Sequence, residues 1–213
     1  MNWCCALQTT ISDIEVDRTA IKKGGERLGP IPGHDPKKTF EFGTMLKFAY
    51  QVCDDSGAPT GEELVVATTR LETMLGDVAV AVHSKDLRYL HLHGRRCLHP
   101  FRDESHPWKT IPIVVDDVLV DPELGTGAVK ITPAHDPEDH ACALRVGAGR
   151  SGVQLPLSWN VFDDGGKITT SCSYGEFAKV GTPRYEAREG IALMLQELEL
   201  YREEEENVEG QIG

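Results

Sequence analysis

The sequence predicts a mainly β fold with some α structure, a barrel-like sheet that carries a few helices on its outside. Short runs rich in Val and Ile, each bounded by Gly, Pro or Asp, are typical of strands. These runs outnumber the helical segments and do not alternate with them regularly, which argues against a parallel α/β fold. The chain has 213 residues, which fits a single domain with a real core. The predicted strands are Leu46–Val52, Leu64–Thr68, Val78–His83, Ile111–Val115 and Ala128–Thr132.

Two segments are predicted to be helical. In the first, Asp136 precedes a proline and two acids, the order expected of a helix N-terminus, and the helix should run to about Val146. The second and longer helix should open at Thr182-Pro183 and reach Tyr201. Its apolar positions recur at helical spacing at Ile191, Leu195 and Leu198.

The two ends of the chain differ from its centre in composition. Residues 18–39 are polar and interrupted by Gly and Pro, which predicts a loop or an extended arm, and we expect residues 1–40 to form an extended arm. We expect this arm to link the barrel and its helices, residues 41–202, to a larger protein into which the chain is inserted. The acids Glu203–Glu206 and Glu209 predict a solvated, frayed tail over 203–213.

Composition excludes several classes of protein. Lys plus Arg number 22 and Asp plus Glu 34, a formal charge of −12, which argues against a nucleic-acid binder that relies on bulk positive charge. No apolar run approaches the roughly 18 residues of a membrane span, and no secretory signal is present. The six cysteines form no C-x-x-C pair, which favours reduced intracellular thiols over a zinc site or disulfides.

A first polar motif covers residues 67–77 and directly follows a predicted strand. It contains Thr68, Thr69, Arg70 and Thr73. Hydroxyl and guanidinium groups suit ester carbonyls, ribose hydroxyls and phosphates, which need donors in fixed positions. The alternative is a strand end that turns with threonine caps and a surface ion pair.

A second motif runs from Gly125 to Asp139. Its glycines do not match a dinucleotide or P-loop fingerprint. Alternation along a strand places Lys130 and Thr132 on one face, next to the acids Asp136 and Asp139. Such a face could clamp a polar ligand that carries an ammonium group. Helix capping explains the two acids equally well, and the two roles are compatible.

A third region is rich in histidine and arginine. The pair His91-x-His93, if on a strand, could offer two imidazoles to a metal, but a third ligand is missing and nearby arginines would repel a cation. The stretch Arg95–Lys109 is the most basic part of the chain, and it is our candidate for touching a nucleic-acid backbone. No serine or cysteine nucleophile motif is present, so a hydrolase built on this chain would use a positioned water.

The motifs resemble those of a known family, the valyl-tRNA synthetases, and specifically the editing domain inserted into their class I core. The matching stretches are Asn2-Trp3, Ser12-Asp13-Ile14-Glu15-Val16, Thr68–Asp77 and Gly125–Asp136. The resemblance extends from about residue 2 to residue 202, and the relatives specific for leucine and isoleucine share two of the motifs. No nucleotide-binding signature of the synthetic core is present, so ATP would serve only an absent domain and editing itself needs no cofactor or metal.

The resemblance implies a β-barrel-like editing domain that hydrolyses the ester of mischarged Thr-tRNA(Val). It implies that Asp139 holds the α-ammonium group, and that Asp136 and Thr132 line the side-chain pocket or orient the water. By the same resemblance, Arg70, Thr73 and Lys130 contact the ester or the terminal adenosine. The full set of implied residues has catalytic members Asp136, Thr73 and Lys130 and substrate-binding members Asp139, Thr132, Arg70, Thr68, Thr69 and His135.

Two departures from the family pattern affect this interpretation. Leu71 stands where proline is frequent, and His140-Ala141-Cys142 replaces an aromatic and acidic stretch. The expected partners are the aminoacylated end of tRNA(Val), its threonine moiety and the rest of a synthetase, with no membrane, in the cytoplasm or also in an organelle. Alternatives are a catalytically silent domain that binds tRNA ends, an editing domain of an isoleucyl or leucyl relative, and a metal hydrolase.

Overall fold

The computed structural model describes residues 2–17, 19–22, 25–149, 152–202, 205–206 and 211–212. Strands within these ranges are β1 (Asn2–Cys4), β2 (Thr9–Ile11), β3 (Thr19–Ala20), β4 (Glu26–Leu28), β5 (Phe40–Phe42), β6 (Thr44–Cys53), β7 (Pro59–Thr68), β8 (Ala79–Val82), β9 (Arg96–Leu98), β10 (Thr110–Val115), β11 (Ala128–Ile131), β12 (Glu205–Glu206) and β13 (Gln211–Ile212). The α-helices are α1 (Pro137–Ala148) and α2 (Arg184–Glu197), and short 3-10 helices span Asp13–Glu15, Leu71–Gly76, Leu90–Leu92 and Thr170–Cys172.

A seven-stranded sheet forms the centre of the molecule. Its order is β11-β8-β10-β9-β6-β12, and β7 also pairs with β6. Strands β8 and β10 are parallel, and the other pairs in this sheet are antiparallel. Strand β7 also contacts β11, at the far end of the strand order, so the sheet curls into a half-barrel. The mainly β, barrel-like prediction with peripheral helices is confirmed.

Apolar side chains cover both faces of the sheet at β8. Val80 and Val82 point into the larger core, whereas Ala79 and Ala81 belong to a second cluster. Such continuous burial explains why β8 is apolar at every position instead of alternating. Helix α1 covers the second cluster, and α2 packs on the larger one through Ala187, Ile191 and Leu195.

The five strands predicted from apolar runs are all present, with ends that differ by a few residues. Helix α1 begins as predicted, since Asp136 is its N-cap and accepts from two backbone amides. Helix α2 begins after Pro183 and ends at Glu197, short of Tyr201. Residue Glu199 has a positive φ of 57°, and the chain then turns so that Tyr201 bridges to β6.

Some local predictions were wrong. Short strands β3 and β4 lie in the region predicted to be a loop or an extended arm, and β9 was not predicted because it has no apolar run. In the predicted frayed tail, β12 instead pairs with β6 and β13 with β3; residues 203–204 and 207–210 lie outside the described residues. The segment of His91 and His93 is a 3-10 helix and its cap, not a strand. Backbone pairing with an existing sheet edge stabilises such short segments, and composition does not record it.

All six cysteines are free thiols in this structure. Among the residues that the structure describes, no helix has the length and apolarity that crossing a membrane requires. Within the same ranges, no three His, Cys, Asp or Glu side chains are grouped so that they could hold a metal ion.

Candidate functional site

The two polar motifs meet where β11 ends and α1 begins. The 3-10 helix Leu71–Gly76 packs against this junction and brings Thr73 to the side chains of β11. Lys130 and Thr132 share a strand face as predicted, with Lys130 Nζ donating to Thr132 Oγ1 over 2.7 Å. Residues separated by more than fifty positions in sequence therefore form one site.

Lys130 is the centre of this site and is buried. Its ammonium group donates to Thr73 Oγ1 at 2.7 Å, Thr132 Oγ1 at 2.7 Å and Asp77 Oδ1 at 3.0 Å. An ammonium group has three protons, so these bonds use all of them. In this conformation Lys130 therefore orients two hydroxyl groups and has no donor left for a ligand.

Asp77 is a member of the site to which the sequence analysis gave no role. It is fully buried and accepts from Lys130, from Thr132 Oγ1 at 2.5 Å and from Tyr50 Oη at 2.6 Å. Burial raises the pKa of Asp77, and Lys130 opposes this shift. The available signal was an acid directly before an apolar strand, where a charge needs a buried partner.

Asp139 lies in the first turn of α1 and is 7% exposed. Its Oδ2 accepts from the backbone amide of Thr132 at 2.7 Å. Burial raises its pKa to about 6, against the attraction of Lys130 and the bond from Thr132. The carboxylate has acceptor capacity beyond this bond, and the free energy cost of its burial favours a cationic partner.

Asp136 and Arg70 lie at the more exposed rim of the site. Asp136 Oδ1 accepts from the amides of Glu138 at 2.8 Å and Asp139 at 3.3 Å, which confirms its capping role. The Arg70 guanidinium donates to the carbonyl of His135 at 2.9 Å and lies 3.7 Å from Asp136 Oδ2. The rim thus presents one cation and one anion that are already paired loosely.

The remaining predicted residues are spread around this rim. Thr68 Oγ1 accepts from the Arg70 amide at 3.0 Å, which fixes the turn out of β7. His135 Nε2 accepts from the Val161 amide at 2.8 Å, and burial together with Arg70 lowers its pKa to about 4, so it is neutral near pH 7. Thr69 lines a groove to which Lys130 does not contribute. That groove is lined by Arg27, Phe40, Glu41, Thr44, Leu46, Thr69, Tyr185, Arg188, Glu189 and Ala192.

Glu72 is a further residue without a sequence-based role. It is completely buried between Thr73 and two arginines of α2, Arg184 and Arg188. The motif displayed this acid, but its partners lie more than one hundred residues away. Nothing local in the sequence indicates that pairing.

The cationic side chains of the basic stretch Arg95–Lys109 form hydrogen bonds and ion pairs within the protein. Arg95 pairs with Glu62 at 3.1 Å, Arg96 donates to Thr110, and Lys109 pairs with Glu104. The remaining cation of the stretch, Arg102, is partly buried and donates to two backbone carbonyls. Contact with a nucleic-acid backbone therefore stays a prediction, and it would require these surface pairs to open.

The arrangement suits a polar ligand that carries both a cation and an acceptor. Asp139 offers a carboxylate for an ammonium group, and Arg70 offers donors at the rim. Between them lie hydroxyl groups held in fixed orientations by Lys130. Each hydroxyl already donates its proton, Thr73 to the carbonyl of Arg70 and Thr132 to Asp77, so the two hydroxyls offer acceptor lone pairs to a ligand and the donors at the site are those of Arg70.

Comparison with known proteins places these motifs in context. The chain is 45% identical over 203 residues to the mitochondrial valine–tRNA ligase 1 of Arabidopsis thaliana, covering 95% of this chain and 16% of that protein. It is 44% identical over 207 residues to the valine–tRNA ligase of Homo sapiens, covering 97% of this chain and 14% of that protein. The chain thus spans about one-sixth of the length of these relatives. No protein-family model matches it.

Among solved structures, the crystal structure of GlLeuRS-CP1 is similar over 51% of this chain and 61% of that one. The TM-score is 0.38 and the sequence identity 15%.

Proposed function

The chain belongs by sequence to the valine–tRNA ligase family, of whose members it matches one segment, and we propose that this segment hydrolyses the ester of mischarged Thr-tRNA(Val). The physical need for such an activity is general. Threonine and valine are nearly isosteric, and an apolar pocket rejects the extra hydroxyl by only about 10²-fold, a value known for this family. A second site that accepts threonine and excludes valine would raise the fidelity.

One observation carries the proposal. The buried Asp139 carboxylate faces the junction where Lys130 fixes the hydroxyl groups of Thr73 and Thr132. An aminoacyl ester presents an ammonium group two bonds from its carbonyl carbon, so an acid and a set of oriented polar groups must lie close together to hold both. This geometry meets that requirement.

We assign the roles accordingly. Asp139 holds the α-ammonium group as a charge-assisted pair. Thr132 and Asp136 recognise the threonine hydroxyl or orient the water, and Arg70 contacts the ester or the terminal ribose. Lys130 and Thr73 preorganise the site, and a direct contact of Lys130 with the ester requires it to exchange one of its three bonds.

The reaction needs no cofactor. A water oxygen bonds to the carbonyl carbon, the bond from that carbon to the ribose oxygen breaks, and a water proton passes to the ribose oxygen. Threonine and the uncharged tRNA end are the products. A neighbouring ribose hydroxyl of the tRNA would assist proton transfer in the place of a protein base.

The proposal includes the partners of the domain. Because the chain carries a formal charge of −12, we propose that it holds only the aminoacylated end, by Arg70, and that tRNA affinity resides mainly in the rest of a synthetase. We place this protein in the cytoplasm, with an organellar pool as an option. ATP would serve only the aminoacylation carried out elsewhere in such a synthetase.

The test is deacylation by the purified chain of Thr-tRNA(Val), with Val-tRNA(Val) and Val-tRNA(Ile) as comparison substrates. We expect rapid loss of threonine only, unchanged by a chelator and abolished by Asp139→Ala. Binding of tRNA ends without hydrolysis would indicate the catalytically silent alternative, and preference for Val-tRNA(Ile) would indicate the isoleucyl one. Loss of activity to the chelator, or on His91→Ala, would indicate the metal hydrolase.

A further inference from the structure

A buried ion cluster joins helix α2 to the turn that carries Thr73. Glu72 Oε1 accepts from Arg184 Nε at 2.6 Å and from Arg188 Nη2 at 3.0 Å, and Glu72 Oε2 accepts from Arg188 Nε at 2.7 Å. The carboxylate has no exposed surface, so it cannot touch a substrate. Any influence of Glu72 on the site must pass through its neighbours.

The cluster is held rigidly by its surroundings. Arg184 and Arg188 are four positions apart on α2 and therefore lie on one helix face. The Arg188 guanidinium packs over the rings of Tyr185 and Phe42, at 5.0 and 5.8 Å. Burial alone would raise the pKa of Glu72, but attraction to the two arginines outweighs it and lowers the pKa to about 2. Glu72 is therefore charged at every pH where the protein would work.

The turn that Glu72 anchors needs outside support. Leu71–Gly76 is a 3-10 helix, whose hydrogen bonds have poorer geometry than those of an α-helix, and its N-cap residue Arg70 gives no side-chain cap. Within it, the Thr73 hydroxyl donates to the carbonyl of Arg70 at 2.9 Å and accepts from Lys130. A shift of this turn would move the hydroxyl of Thr73 and break its bond to Lys130.

The charge of Glu72 also matters to Arg70. The cation of Arg184 is close enough to lower the pKa of Arg70, after the larger effect of burial, whereas Glu72 opposes this shift. If the carboxylate lost its charge, the repulsion between Arg184 and Arg70 would be opposed mainly by Asp136. We expect the Arg70 guanidinium then to be held less firmly against the His135 carbonyl.

We propose that Glu72, clamped by Arg184 and Arg188, is a positioning residue of the hydrolytic site, which fixes the hydroxyl of Thr73 and the guanidinium of Arg70. This inference rests on the proposed function and adds a residue that acts on the reaction without touching the substrate. Through this cluster, helix α2 holds the first polar motif in position, although the two are far apart in sequence.

The test compares three variants in single-turnover deacylation of Thr-tRNA(Val) by the full chain. Glu72→Gln keeps the shape and removes the charge, Arg188→Gln removes one clamp, and Arg188→Lys keeps the charge but loses the paired geometry. A matched control on the same helix is Glu186→Gln, which removes the partly exposed ion pair between Glu186 and Lys38. All rates are measured well below the melting temperature of each variant, so that the folded fraction is the same.

We expect Glu72→Gln and Arg188→Gln to lower kcat about 10- to 100-fold, the cost of misplacing reacting groups by about 1 Å, with KM changed far less. Arg188→Lys should recover part of the loss, and Glu186→Gln should match the unmodified chain. Folded variants with unchanged kcat would overturn the inference, and so would failure of all three to fold, since the cluster would then serve stability only. Failure of the unmodified chain to deacylate would instead refute the proposed function.

Discussion

The backbone amide of Thr132 donates a 2.7 Å hydrogen bond to the carboxylate of Asp139. This bond ties the end of β11 to the first turn of α1, and it fixes the acid in a position where burial raises its pKa to about 6. A carboxylate that is costly to keep charged, and that has acceptor capacity left, is suited to a cationic ligand.

The charged carboxylate of Asp139 should lower the free energy of unfolding. A pKa raised to about 6 means that the folded state holds the proton more tightly than the unfolded state. The contribution of Asp139 to stability is therefore fully present below about pH 4 and is lost as the pH rises through about 6. Asp139→Asn removes this pH dependence. The stability of the variant relative to the unmodified chain should therefore rise by up to about 3 kcal/mol between pH 4 and pH 7. Urea unfolding of both proteins at pH 4 and at pH 7 measures this difference in stability. Glu138→Gln, in the same turn but exposed, should show no such change.

Deacylation should follow the ionisation of Asp139. The ammonium group is bound by the charged carboxylate, so kcat/KM should fall as the pH drops through about 6, the pKa raised by burial. The pH dependence of kcat/KM reports groups of the free enzyme. After subtraction of spontaneous ester hydrolysis, it should therefore show an inflection at about pH 6. A flat profile between pH 5 and pH 7 would contradict the role of Asp139.

Lys130 and Asp77 should be strongly coupled in stability. Lys130→Met leaves the buried Asp77 carboxylate without its cation, which costs about 3–5 kcal/mol. The double variant with Asp77→Asn should lose less than the sum of the two single losses, by about 1–3 kcal/mol. Chemical denaturation of the four proteins gives the coupling. The exposed Lys179–Glu176 pair is the control, and Lys179→Met should cost less than about 1 kcal/mol.

Asp136 should combine capping with function. Asp136→Ala removes the bonds to two amides of α1 and should cost about 1 kcal/mol, whereas Asp136→Ser keeps a cap and should cost less. The same cap positions Asp139, so we expect deacylation to fall for both variants, and further for alanine. Thermal melting and the deacylation rate are measured together. An alanine variant that loses stability but keeps its full rate would show that Asp136 is a cap only.

Local patterns in the sequence were sufficient to predict most of the longer strands and the start of helix α1. The Val- and Ile-rich runs predicted β6, β7, β8, β10 and β11 because their burial requires apolar side chains. The order of Asp136, Pro137 and two acids predicted the start of α1 because helix ends have unpaired amides that those residues satisfy. Alternation along β11 correctly placed Lys130 and Thr132 on one face.

Long-range pairing was not predictable in the same way. Strands β3, β9, β12 and β13 are two or three residues long, and they exist because a neighbouring strand supplies hydrogen-bond partners that lie elsewhere in the sequence. The histidine segment, for which a strand was the condition of metal binding, is instead a 3-10 helix and its cap. Asp77 and Glu72 were visible in the first motif, but their roles depend on partners contributed by other elements.

The sequence by itself determined the family, the β-rich class and the two motifs of the site, because each is written in residue types at short and fixed spacings. Only the tertiary structure decided what each charge faces. It buried Lys130 among two hydroxyls and Asp77, left Asp139 as the acid with capacity for a ligand, and clamped Glu72 between Arg184 and Arg188. The physical reason is that the free energy of a charge depends on its burial and its neighbours, and folding alone brings those neighbours together.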